Sequence, residues 1–282
     1  MDETGLITKT GYLNQDYKIF HLTAKKAVPH RYHYHEFDKI IIFLSGRVTY
    51  TIEGKSYFLK PGDVLFVNHH MIHKSEIDPK IPYERYVIWV NADFLSTHSY
   101  PGEELSFCFK NIERRQLNLM HPQQSYVEAL YGLLKHLEQE EEEQGFASHL
   151  LKDTLFLQIL ILLNRISLHG QQKLPAKSVS FDPKLSELIQ YINSHLEENL
   201  TVPFLARQFY MSKSHLMHKF KESTGYTLHQ YILQKRLLKA KTLIEQGTPV
   251  TEASSLCGFS EYSTFLRAFK SFFHGLPASW KP

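Results

Sequence analysis

Cysteine is almost missing from this sequence: Cys108 and Cys257 are the only two among 282 residues. They fall in different predicted domains, which excludes a disulfide framework and a paired-cysteine metal site and fits a reducing compartment. Long apolar runs are lacking as well. The longest, 156–166, is far short of a membrane span. The opening Met1-Asp2-Glu3-Thr4 is acidic and lacks the basic-then-apolar order of an export signal. These absences predict a cytoplasmic protein with no membrane partner. No low-complexity run occurs, and 43% hydrophobic against 22% charged residues is the balance of a folded chain.

What is present divides the chain. At this length two domains and a connector are expected. Net charge is only +3, yet residues 1–181 hold 20 Lys/Arg against 21 Asp/Glu while 182–282 hold 12 against 8. The basic excess therefore lies wholly in the C-terminal part and favours an anionic partner there. Residues 17–92 read as strands: Lys39-Ile-Ile-Ile-Phe-Leu-Ser45 and Arg47-Val-Thr-Tyr-Thr-Ile52 are β-branched and aromatic, and Glu53-Gly54 and Pro61-Gly62-Asp63 mark turns. Short strands with tight turns predict a sandwich or small barrel. From 125 to 169 the apolar period becomes helical, in Tyr126-Leu130-Leu133-Leu134-Leu137 and again in Leu150-Leu151-Leu155-Ile159-Leu162-Leu163, with a break near Gly145. The acidic run 138–143 between them reads as a solvated helix face. Residues 170–181 have no periodicity and read as a flexible connector.

The domains predicted are thus a barrel with an N-terminal arm over 1–100, a helical dimerisation segment over 101–169, a linker over 170–181, and an all-α domain over 182–282. Asp182-Pro183 caps and opens the first helix of the last domain, expected to run to about Glu198. Thr201, Ser212, Thr227, Thr248 and Ser260 then stand at N-cap-like positions, Thr227 and Gln230 form a capping box, and Gly247 marks a helix stop. Two segments, 201–212 and 249–260, each place a valine ten residues before a serine. Each is followed by a helix with an aromatic anchor, Phe220 or Phe269. Leu205, Ala206 and Leu216, then Ala253, Ser254 and Phe265, supply the small or apolar contacts that a helix-turn-helix needs, and Gly258 supplies a sharp turn. Between the units, 228–245 reads as one helix of roughly 27 Å at 1.5 Å per residue. Such a spacer could hold two recognition helices about one DNA turn, ~34 Å, apart.

Residues 185–280 resemble the DNA-binding domain of the AraC/XylS transcription regulators. The motifs are Met211-Ser-Lys-Ser-His-Leu-Met-His-Lys-Phe-Lys-Glu-Ser-Thr-Gly225, Cys257-Gly-Phe-Ser260, Phe265-Leu-Arg-Ala-Phe-Lys270 and Pro277-x-x-Trp280. The resemblance implies that Lys213, Ser214, His215 and His218 of the first recognition helix, and Glu261, Tyr262, Ser263 and Arg267 of the second, face base edges. Lys219, Lys221 and Lys270 suit phosphate contacts. Many relatives carry arginine where this chain has His218, which leaves Arg267 as the residue best suited to guanine.

Residues 30–92 resemble the cupin-type barrel that many of these regulators place before the DNA-binding domain. The cupin metal pattern His-x-His-x3-Glu-x6-Gly stands here as His33-x-His35-x3-Lys39-x6-Gly46, and of the second cupin stretch Gly62 and His73 remain. Three metal-ligand positions survive, but a lysine replaces the acidic one and would repel a metal. The expectation is therefore no metal, no cofactor and no enzyme. His33, His35, Lys39, Tyr50, His73, Arg85 and Trp89 instead form a polar pocket for a small organic effector, a sugar or small acid. The resemblance also implies that the arm 1–16 folds over the effector. The expected partners are double-stranded DNA, the effector, a second copy of the chain, and RNA polymerase as a further candidate. The alternatives are a metal-dependent cupin enzyme or sensor fused to a DNA-binding domain, and a barrel serving only oligomerisation or a protein partner.

Overall fold

The computed structural model describes residues 8–24, 31–143, 145–175 and 177–280. Its strands are β1 (Thr8–Lys9), β2 (Tyr17–Ala24), β3 (His33–Tyr34), β4 (Asp38–Ser45), β5 (Val48–Ile52), β6 (Lys55–Phe58), β7 (Val64–Val67), β8 (His73–Ile77), β9 (Tyr83–Val90), β10 (Leu119–Met120) and β11 (Val179–Ser180). They form two sheets, in the orders β1-β3-β8-β5-β6-β11 and β10-β7-β4-β9-β2. In the second sheet the period-two alternation of a strand sends side chains to two different cores. Ile40, Ile42, Val64, Phe66, Tyr86, Ile88 and Val90 face a layer of helices. Ile41, Phe43, Leu65, Val67, Tyr83 and Val87 face the first sheet across the barrel interior. Burial on both faces explains why β4 reads as an almost unbroken apolar run.

The covering helices are α1 (Ala92–Thr97), α2 (Phe107–Arg115), α3 (Gln124–Glu143) and α4 (Ser148–Arg165). Leu155, Phe156, Ile159, Leu160 and Leu163 of α4 are buried against the barrel's outer face, with Leu162 packed beside them. Within the segment 101–169, expected to serve dimerisation, the leucine-rich face of α4 that carries Leu155 and Leu162 therefore covers this chain's own sheet. Glu138, expected on a solvated face, accepts a hydrogen bond from the Tyr86 hydroxyl at 2.8 Å and ties α3 to the barrel.

The stretch 170–181, expected to be a flexible connector, is laid along the barrel instead at its described residues 170–175 and 177–181. Gln171 bridges Pro122, and β11 pairs antiparallel with β6 through Val179–Tyr57 and Ser180–Ser56. The Phe58 amide donates to the Ser178 carbonyl at 2.9 Å, which satisfies an edge strand that would otherwise expose its backbone.

The last domain holds α5 (Pro183–Ser194), α6 (Val202–Gln208), α7 (Lys213–Thr224), α8 (Leu228–Glu245), α9 (Val250–Leu256) and α10 (Tyr262–Phe273). Helix α5 stops four residues before the expected Glu198. Asp182, Thr201, Ser212 and Thr227 each accept the capping amide hydrogen bond, and Thr227 with Gln230 completes the capping box. Thr248 and Ser260 do not cap. The N-caps are Pro249 and Glu261, one residue later, and neither makes a side-chain capping bond.

Candidate functional site

The barrel interior is filled by apolar side chains except at one end, where a cavity of about 260 Å³ opens among Phe20, Leu22, His33, Lys39, Tyr50, His73, Ser75, Arg85, Val87 and Trp89. Register explains the gathering. Lys39 pairs with Trp89 across β4 and β9, His33 pairs with His73 across β3 and β8, and Tyr50 pairs with Ser75 across β5 and β8. Arg85, Val87 and Trp89 alternate along β9 and all face inward. Six of the seven residues expected at the effector site line this cavity. The seventh, His35, stands beside it with its Nε2 at 3.4 Å from the Lys39 ammonium. Ser75 and the apolar Phe20, Leu22 and Val87 were missed, although the alternation of β9 would have found Val87.

The imidazoles are held in a defined orientation. The Nδ1 of His33 donates to the Arg31 carbonyl at 2.8 Å, that of His35 to Thr10 at 2.5 Å and that of His73 to Met71 at 3.0 Å. Each ring then presents Nε2 as an acceptor. Burial, reinforced by the Lys39 ammonium, pulls the His35 imidazole down to about 2, and the same two causes hold His73 well below its ordinary value. Both rings are neutral. Burial also pulls the Lys39 ammonium down to about 8, with the Arg85 guanidinium adding to the effect.

The arm reaches this end of the barrel. Strand β1 pairs parallel with β3, the Thr10 carbonyl receives His35, and Gly11 lies against the Trp89 ring. Residues 1–7 of the expected arm lie outside the described residues.

His33, His35 and His73 offer ligand atoms within 4.8 Å of one another, a spacing three metal ligands need. The fourth position does not fit. Lys39 puts an ammonium where the cupin pattern has a carboxylate, so the cluster repels the cation that it would otherwise hold.

On the other domain, α6–α7 and α9–α10 form the two helix-turn-helix units. Lys213, Ser214, His215 and His218 on α7 are exposed, as are Glu261, Tyr262, Ser263 and Arg267 at the start of α10. Their inward neighbours Leu216, Phe220, Phe265 and Phe269 are fully buried, which fixes the rotation of each helix. Lys221 and Lys270 are exposed too. Lys219 is partly buried and ion-paired with Asp182, the cap of α5, so its ammonium is engaged within the domain.

A barrel with a ligand-sized polar lumen, joined to paired helix-turn-helix units with polar outward faces, is the architecture of a DNA-binding transcription regulator with a ligand-binding domain. Residues 23–160 match the family described as AraC-like ligand binding domain, and residues 205–281 match a helix-turn-helix domain. The chain belongs to the AraC/XylS family of transcription regulators. It is similar to the HTH-type transcriptional activator RhaS of Salmonella paratyphi A, with 28% identity over 251 residues, 87% of this chain and 85% of that protein. RhaS of Escherichia coli is 26% identical over 254 residues, with the same coverage of each. Among solved structures, ToxT from Vibrio cholerae is 14% identical, covers 94% of this chain and 98% of its own, and has a TM-score of 0.35. The RhaS relatives are transcription activators.

Proposed function

We propose that this chain is a cytoplasmic transcription activator that binds a specific duplex as a homodimer and answers to a small organic effector, a sugar or small acid, in the barrel lumen. The observation that carries the reading is the pairing of two outward polar faces, on α7 and α10, with a polar pocket in the barrel of the same chain. Lys213, Ser214, His215, His218, Glu261, Tyr262, Ser263 and Arg267 read base edges. Lys221 and Lys270 hold phosphates, and Lys219 joins them when it leaves Asp182. RhaS is an activator, which supports the same sign of regulation here, and RNA polymerase is the partner an activator would address.

Selection of duplexes by the full chain, followed by titration at several salt concentrations, tests this. Affinity falls steeply with salt, because phosphate contacts release counterions. Arg267→Ala weakens the selected duplex by about 1–3 kcal/mol and relaxes preference at one base pair. Equal loss on every duplex would make Arg267 a phosphate contact only.

A second reading, a metal-holding barrel, has the three converging imidazoles in its favour. Stoichiometric zinc that survives dialysis, and that Lys39→Glu tightens, would support it.

A further inference from the structure

The lumen holds two cations and no counterion. Lys39 and Arg85 line it, and no aspartate or glutamate does so among the described residues. The side-chain contact of Lys39 is the His35 imidazole at 3.4 Å. The Arg85 guanidinium lies over the Tyr83 ring, 4.3 Å from its centroid, and reaches only the backbone carbonyls of Tyr83 at 3.2 Å and Leu22 at 3.4 Å. Two other lysines withdrawn from water are paired with carboxylates, Lys235 with Glu53 and Lys241 with Glu36, and a third, Lys55, is held by the Gln116 carbonyl at 2.6 Å, a contact type that Lys39 lacks. A cation partly withdrawn from water without a carboxylate is costly, and a second, half-buried cation beside it adds to that cost. The depressed Lys39 ammonium reports that cost.

The remaining polar atoms divide by type. The Arg85 Nε and Trp89 Nε1 donors are buried without partners. So is the His73 Nε2, which its Met71 hydrogen bond leaves as an acceptor. Cationic donors call for an anion, and imidazole acceptors call for O–H groups. The walls contributed by Phe20, Val87 and Trp89 suit a face of C–H bonds. The volume of about 260 Å³ lies just under the roughly 300–1,000 Å³ of drug-sized pockets and admits a molecule of sugar size or less.

Resting on the reading of the barrel as the effector domain, we infer that its ligand is a hydroxylated carboxylate. The carboxylate lies between Lys39 and Arg85 with Trp89 donating to it, and a hydroxyl donates to the Nε2 of His73. A neutral sugar would satisfy the imidazoles and leave both cations unpaired. A simple fatty or aromatic acid would satisfy the cations and leave the His73 Nε2 acceptor unpaired. Of the two effector classes, only a sugar acid or smaller hydroxy acid satisfies both sets.

Calorimetric titration of the full chain with sodium lactate, gluconate and galacturonate, each beside its neutral counterpart propane-1,2-diol, glucitol or galactose, tests the inference. At least one acid binds tenfold or more tightly than its counterpart, and Lys39→Met and His73→Gln each weaken it at least tenfold. Without any ligand, Lys39→Met raises the barrel's melting temperature by about 2–4 °C, because it removes an uncompensated cation. A neutral compound that binds as tightly as its acid and loses affinity in His73→Gln would overturn the anion inference and leave the effector barrel standing. Binding insensitive to both substitutions, or no binding by any of the six, together with an unchanged or lower melting temperature in Lys39→Met, would overturn both.

Discussion

Gly258 adopts φ +77° in the turn of the second helix-turn-helix, where an added Cβ would meet the Leu196 carbonyl oxygen at 2.4 Å. The sequence marked this glycine as the sharp turn, and the reason is twofold: a left-handed backbone and a close approach to a neighbouring segment. Gly258→Ala is expected to destabilise the C-terminal domain by about 2–3 kcal/mol in urea unfolding. Gly102→Ala, at φ +82° with nothing within 4 Å, should cost clearly less. Histidines set the acid response. Burial holds His35, His70 and His73 below the ordinary value of 6.5. As pH falls through 6.5 the unfolded chain takes up protons that the folded chain refuses, so all three withdraw stability in acid. His69 acts in the opposite sense. Burial opposes its charge, but the Asp38 carboxylate more than offsets this and raises it, so its contribution is full below 6.5 and lost as pH rises. Three against one predicts a melting temperature that falls from pH 7 to pH 5, with a smaller fall in His73→Gln. A melting temperature that rises over that range would contradict the assignment.

Helix α4 shows where an element's period stops being informative. It is apolar nearly all round, so its sequence announces a helix without saying which side meets the barrel. The inward side is Leu155, Phe156, Ile159, Leu160 and Leu163, while Leu150 and Ile161 point outward, 66% and 41% exposed, and Leu168, 53% exposed, follows in the π-helical turn Ile166–Gly170. These three form the surface on which the proposed dimer rests. Ile161→Glu with Leu168→Glu is expected to give a folded monomer in light scattering, and Leu155→Glu to unfold the chain by burying a charge. A folded Leu155→Glu monomer would reverse that assignment. Caps were legible where a side chain does the capping, at Asp182, Thr201, Ser212 and Thr227. They were misplaced by one residue at Pro249 and Glu261, where backbone geometry alone starts the helix. The connector was illegible for a related reason: β11 has two residues and owes its order to the edge of β6, far away in sequence.

Across the whole molecule the two domains meet through buried Tyr34 and Ile72, which pack into the core of the last domain, and through polar contacts around them. Glu53, at the β5–β6 turn, accepts from Lys235 of α8 at 2.8 Å and also receives the Tyr231 hydroxyl. Glu36 joins Lys9 of the arm to Lys241 of α8. The Tyr32 hydroxyl donates to the Ser223 carbonyl at 2.9 Å, and Tyr226 returns a bond to Tyr32 at 3.0 Å. None of this was legible, since partners nearly two hundred residues apart leave no local pattern, whereas the lumen residues were found because motif and strand alternation mark them. A double-mutant cycle of Glu53→Gln and Lys235→Met on full-chain unfolding should give a coupling of about 1–3 kcal/mol. Glu36 lies one residue from His35, so a ligand in the lumen and the position of α8 are mechanically adjacent. Linkage then requires that a ligand which changes duplex affinity have its own affinity changed equally by the duplex. The most direct test of the account is one reciprocal titration: duplex affinity of the full chain with and without a saturating hydroxy acid, and acid affinity with and without saturating duplex. The account predicts shifts of at least about fivefold that match in both directions. Tight binding of both with no mutual shift would contradict it.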